Sequence, residues 1–206
     1  FIFLGGVTRI AAVTEKLVPV MACFYLVGGL VMLIANITNL PHAFALIFEG
    51  AFNPQAILGG AAGIGVREAM RYGVARGLFS NEAGMGSTPH AHAMAKVEKP
   101  QDQGVVAMVC VFIDTFVVLT ITALVMITSG ALNVGDMAAN PAAENMAQVA
   151  FSTVFGSFGN FYVAICLLFF AFSTIIGWYF FGQSNFKALF GEKLLPVYSI
   201  IVVAFI

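Results

Sequence analysis

Apolar residues along this chain fall into runs separated by short polar stretches, and run length sorts them. Leu17 to about Leu40 and Phe158 to Phe181 are uncharged, and Val105 to Thr128 carries one charge, Asp114. Each exceeds the roughly 20 residues that a membrane-crossing helix needs. Residues 1–16, FIFLGGVTRIAAVTEK, set Val7, Ile10, Ala11 and Val13 among Arg9, Glu15 and Lys16, the pattern of an interfacial helix. Pro41 to Asn53 is too short to cross and predicts a surface helix in the membrane plane. The equally short run 146–156, MAQVAFSTVFG, predicts a helix folded back over the outer mouth. Polar loops are expected at Lys96–Gln103, Leu132–Asn145 and, with a basic character, Gly182–Lys193. A last run, Leu194 to Ile206, stops short of a full span.

One run departs from this scheme. Residues 66–96 are longer than one crossing requires, and their middle holds Gly84 and Gly86 followed by Ser87, Thr88 and Pro89. The spacing predicts a span broken in two: a half-helix from about Val66 to Leu78, non-helical backbone over Phe79–Gly86, and a second half with Ser87 or Thr88 as N-cap. Pro89 then takes the first helical position, where its missing N–H costs nothing. Irregular backbone at membrane depth is tolerated only where protein buries it or where it lines a watery cavity, and broken helices are how many transporters build a midplane site. The carbonyl end of the first half suits a cation or ammonium, and the N–H end of the second suits an anion.

Composition places the chain with polytopic membrane proteins: 60% of residues are hydrophobic, 9% are charged and 21 are Phe. The nine basic residues are scattered and net charge is -1, which excludes a nucleic-acid footprint. Cys23, Cys110 and Cys166 sit in apolar runs and read as small buried hydrophobes. Gly59, Gly60, Gly63 and Gly65 read as a tight turn or a close helix contact, since no strand precedes them to make a dinucleotide loop. Arg9, Lys16, Lys96, Lys99, Lys187 and Lys193 collect on one side, with Arg67 and Arg71 near the other, so the first group is expected to be cytoplasmic. Phe1 and the short final run read as cut ends, without a signal peptide. The chain is therefore expected to be an internal piece of a transporter-sized protein, one transmembrane domain over 1–206.

Several polar groups lie where apolar residues would be expected. Asn81 can both donate and accept toward a zwitterion, or it serves as a structural amide for the freed backbone. Ser80 and Gly84 offer carbonyls and room. Glu82 needs a partner at this depth; Arg76 is the nearest in sequence, which suggests a structural or gating pair. Asp114 stands near mid-span and serves either an ion or proton path or a buried pair with an arginine. Thr174 and Trp178 are four residues apart, on one helical face with Phe170, and could wall a small pocket. Ser173 and Thr174 hydroxyls are alternatively bonded to their own preceding turn. His90 and His92, two apart on a helix, point to nearly opposite faces and do not ligate one metal. A symporter, an intramembrane enzyme using Glu82 and His90, and a passive channel or scaffold all remain open on these residues alone.

Longer motifs narrow the choice. GGVTRIAAVTEKLVPVMA, RYGVARGLFSNEAGMGSTPHAHA, FIDTFVVLTITALV and FFAFSTIIGW, in this order, closely resemble the alanine or glycine:cation symporters of bacteria and archaea. The resemblance covers nearly the whole chain. It implies an all-α, LeuT-like fold of two inverted five-helix repeats, of which this chain would supply about helices five to nine, with the broken span as helix six. It also implies import of small neutral amino acids driven by Na⁺, in some members H⁺, by alternating access across the cell membrane, with no organic cofactor. Phe79 resembles the aromatic that closes such sites, or else simply packs. By the same resemblance Trp178 limits substrate size, and Ser173 with Thr174 helps hold Na⁺ against a first helix that this sequence lacks.

Overall fold

A computed structural model describes residues 6–52, 62–82, 84–131 and 145–205, and the described residues are all helix, turn and loop. Helix α1 spans Gly6–Ala35 and a single 3₁₀ turn, Ile37–Asn39, leads into α2, Leu40–Phe52. Helix α3 is Ala62–Ser80 and α4 is Ser87–His92. Helix α5 runs from Pro100 to Thr128 and widens to a π-helix over Ile113–Leu119. Then come α6, Met146–Phe155; α7, Ser157–Phe190; a 3₁₀ turn, Glu192–Leu194; and α8, Leu195–Phe205. Three of these, α1 from Arg9, α5 and α7, are long and apolar enough to cross a membrane.

Two expected boundaries are absent. From Gly6 on, the expected interfacial helix and the span from Leu17 are one helix to Ala35, with Pro19 inside it. Proline is tolerated in a membrane helix when neighbouring groups satisfy the freed carbonyl. Twenty-seven residues from Arg9 to Ala35 give a rod of about 40 Å against a hydrocarbon core of about 30 Å, so the charged first turns project from the same helix rather than lying on a separate one. Likewise the expected basic loop at Gly182–Lys193 is helical through Phe190 and shrinks to Gly191, at φ 77°, plus one 3₁₀ turn. Packing overrides its polarity: Phe186 stacks on Tyr198 at 5.0 Å, and Lys187 pairs with Glu192 across the turn. That exposed pair holds the Glu192 carboxyl below its ordinary range, chiefly by hydrogen bonding and then by Coulomb attraction. Of the cysteines, only Cys166 is buried; Cys23 and Cys110 lie on exposed helix faces. Gly59, Gly60 and most of the expected loop at 132–145 lie outside the described residues, while Gly63 and Gly65 fall within α3.

The chain forms two compact units. One comprises Leu26–Gly86 and Lys96–Val163, the other Phe1–Tyr25, Ser87–Ala95 and Ala164–Ile206. Glycine sets the packing of the first. A Cβ on Gly28 would meet the Tyr162 ring, and one on Gly29 would meet Ile121 Cγ2 at 2.6 Å, so this pair lets neighbouring helices approach closely. Asn39 Nδ2 donates to the Thr128 carbonyl at 3.2 Å, tying the turn after α1 to the end of α5, against which α2 also packs. In the second unit, Ile10, Ile176 and Tyr179 form the core, with Val13, Phe180, Tyr198 and Val202 around it. There Tyr179 and Ser199 share a buried hydroxyl–hydroxyl bond of 2.6 Å.

Among the described glycines, Gly159 makes the tightest contact with backbone: a Cβ there would lie 2.6–2.7 Å from the Phe151 and Ser152 backbone. Backbone cannot swing aside as a side chain can, so Gly159→Ala should destabilise the fold by about 1–3 kcal/mol, the usual cost of overpacking. Gly77→Ala, with nothing within 4 Å of its Cβ, should be neutral or slightly stabilising because alanine favours helix. Thermal unfolding of both variants in detergent checks the contrast; equal melting temperatures would contradict it.

Candidate functional site

The chain leaves helix at Asn81 and re-enters it at Ser87, close to the expected break. Asn81 N–H still reaches the Gly77 carbonyl at 3.1 Å, but Glu82 N–H bonds Phe79 O at 3.1 Å and Met85 N–H bonds Glu82 O at 3.3 Å, so the ladder tightens and stops. Three residues then take left-handed φ: Glu82 at 51°, Gly84 at 76° and Gly86 at 77°. Open space surrounds both glycines, so conformation rather than crowding demands them. Glu82 has no such excuse, and strain of this kind, of order 1–3 kcal/mol, persists where surrounding structure over-determines it and clusters at binding sites and switches.

Helix α4 differs from the expectation in extent. It begins at Ser87, which is buried, puts Pro89 in the first turn where its missing N–H is harmless, and ends at His92 with Met94 and Ala95 bonding three residues back. The polar linker consequently starts at Ala93 and gives way at Pro100, earlier than the expected Val105, because proline at a helix start costs nothing. His90 Nε2 lies 3.0 Å from Asn185 Oδ1, with its ring against Phe181.

Within the first unit, the last helical residue and the first unwound one are both held by α5. Ser80 Oγ donates to Asp114 Oδ2 at 2.6 Å, and Thr115 Oγ1 donates to Asn81 Oδ1 at 2.8 Å, each bond linking residues 34 apart in the chain. Asp114 and Thr115 sit at the start of the π-helix. Its wider turn sets successive residues at a smaller angle than an α-helix does, so two neighbours can face one target; such turns are frequent at functional sites. Asn81, Glu82, Asp114 and Thr115 are half-buried, while Arg76, Phe79, Ser80 and Gly84 are exposed.

In the second unit, Ser173 and Thr174 both donate to the Phe170 carbonyl, at 2.9 and 2.8 Å. This is the back-bonding that a hydroxyl in a membrane helix commonly makes, and it uses only the hydroxyl hydrogen: the oxygen lone pairs stay available to a cation. Trp178, on the same face one turn on, is 42% exposed and meets Phe181 edge-on at 5.7 Å.

Residues 1–206 match the sodium:alanine symporter family throughout. The chain belongs to that family. It is 40% identical to the sodium/alanine symporter AgcS of Methanococcus maripaludis over 99% of this chain and 44% of that protein. It is 42% identical to an uncharacterized transporter of Haemophilus influenzae over 97% of this chain and 43% of that protein. A sodium/proton-dependent alanine carrier protein of Bacillus sp. is 37% identical over 92% of this chain and 44% of that protein. The chain thus spans less than half the length of these relatives. The sodium:alanine symporter family is a transporter family, not an enzyme family, and with three spans in the described residues this chain is part of a multi-pass membrane protein.

For a member of this family, Thr115 is the residue that sequence reasoning missed. A signal was present: Asp114 and Thr115 are adjacent polar residues within a span otherwise rich in aliphatic and aromatic side chains. Only the charged one drew notice, because threonine in a membrane helix ordinarily satisfies itself.

Proposed function

We propose that the whole protein is a secondary symporter that imports small neutral amino acids, alanine or glycine, coupled to Na⁺ by alternating access. Its architecture is LeuT-like, with this chain supplying about helices five to nine, in a prokaryotic inner membrane with the Lys96, Lys99, Lys187 and Lys193 side cytoplasmic. The observation that carries this reading is the non-helical segment between Ser80 and Ser87, at whose start Ser80 and Asn81 are anchored on Asp114 and Thr115. Irregular backbone of this kind exposes carbonyls and amides that a zwitterion can use. Asn81 with Ser80, Gly84 and Phe79 contacts substrate; Arg76 and Glu82 act in gating; Asp114 serves the ion path. Ser173 and Thr174 contribute oxygen ligands to Na⁺, and Trp178 limits substrate size.

Uptake by the full-length protein in proteoliposomes tests this. An inward Na⁺ gradient should drive alanine or glycine accumulation, and K⁺ in place of Na⁺ should abolish it; uptake of neither amino acid would overturn the reading. Thr174→Val removes one of several oxygen ligands, worth about 1–1.5 kcal/mol, and should raise the Na⁺ concentration for half-maximal uptake about tenfold. Because Na⁺ and substrate binding are reciprocally linked, alanine affinity at low Na⁺ should weaken and recover as Na⁺ is raised. An unmoved Na⁺ dependence in both Thr174→Val and Ser173→Ala would leave those hydroxyls to their own helix.

A further inference from the structure

The bond between Thr115 and Asn81 fixes more than position. An asparagine amide presents an acceptor on one side and two donors on the other, and which side meets the ligand decides what it recognises. Thr115 Oγ1 has one hydrogen, and it goes to Asn81 Oδ1. The backbone N–H of Asn81 is already committed to Gly77. Ser80 likewise spends its hydroxyl hydrogen on Asp114 Oδ2. Among the side chains of Ser80 and Asn81, therefore, the hydrogens left uncommitted by these bonds are those of Asn81 Nδ2, which a carboxylate would accept.

We infer that Thr115 is a positioning residue that turns the Asn81 amide so that its NH₂ group faces the carboxylate of an amino-acid substrate. The role is a consequence of the π-helix: widening at Ile113–Leu119 lets Asp114 and Thr115 pin consecutive residues of the unwound segment. This inference rests on the symporter reading and adds the polarity of recognition at one residue.

The test uses the full-length protein, with alanine affinity from equilibrium binding and Na⁺-driven uptake measured in parallel. Thr115→Val keeps shape but loses the donor; it should weaken alanine binding about tenfold, leave maximal uptake within about twofold, and leave Na⁺ affinity in the absence of alanine unchanged. Thr115→Ser restores the donor and should return affinity to near wild type. Asn81→Asp keeps the acceptor for Thr115 but replaces the donor by an anion, and like charges placed together are strongly unfavourable; alanine binding should fall by about 100-fold or more. Should Thr115→Val fail to insert, Asn81→Asp still decides. Wild-type affinity in Thr115→Val, an equal loss in Thr115→Ser, or retained alanine binding in Asn81→Asp would each overturn the inference while leaving the symporter reading intact. A wild-type protein that binds no neutral amino acid would overturn that reading, and this inference with it.

Discussion

Asn81→Ala is expected to weaken alanine binding by about 100-fold while leaving the protein folded and inserted. The amide is proposed to donate to a charged carboxylate, and a hydrogen bond to a charged group is worth about 1.5–3 kcal/mol; at about 1.4 kcal/mol per decade that spans roughly 10- to 150-fold. The upper part of the range is appropriate because truncation also strips Thr115 of its acceptor, so one variant removes both a ligand and its support. Folding should survive, since Asn81 lies where the helical ladder has already ended and its own backbone bond to Gly77 does not need the side chain. Equilibrium binding of labelled alanine, with circular dichroism of the same preparation, separates the two effects. Wild-type affinity would place the substrate elsewhere.

The second large effect concerns selectivity. Trp178→Ala should admit neutral amino acids larger than alanine, raising their uptake relative to alanine by about 10- to 100-fold, because size discrimination in an apolar pocket runs at roughly 1–3 kcal/mol per methylene-sized difference. The indole is 42% exposed and held edge-on by Phe181 rather than built into the core, so its loss opens volume without removing a central packing element. Competition of a series of neutral amino acids against labelled alanine reads the change directly. An unchanged rank order in a well-inserted variant would remove Trp178 from any role in substrate size.

Both predictions start from residues that stand out in the sequence as polar or bulky in apolar runs, which is what made them legible as candidates. The break between Ser80 and Ser87 announced itself through Gly84, Gly86 and Pro89, because positive φ and a missing N–H are local requirements met by particular residue types. The helical spans were legible for the same reason: hydrocarbon thickness acts on run length, which needs no knowledge of neighbours. Boundaries fared worse where a neighbour decided them. Residues 182–190 read as a basic loop because Gln183, Asn185 and Lys187 are polar, yet Phe186 against Tyr198 keeps them helical. Arg9, Glu15 and Lys16 read as a separate interfacial segment, yet nothing between them and Ala35 forces the helix to end.

What the sequence by itself determined is thus the membrane class, the place and rough length of the three long apolar spans, the place of the break and the identity of its polar residues, all set by properties that each short segment carries alone. What only the tertiary structure decided is which groups meet: Ser80 with Asp114, Asn81 with Thr115, Gly28 with Tyr162. A hydroxyl in an apolar run has two outlets, its own preceding turn or a partner on another helix. Ser173 and Thr174 took the first and Thr115 the second. Residue type is the same in both cases, and the choice depends on whether another helix brings an acceptor within reach and on the wider turn at Ile113–Leu119 that aims the side chain.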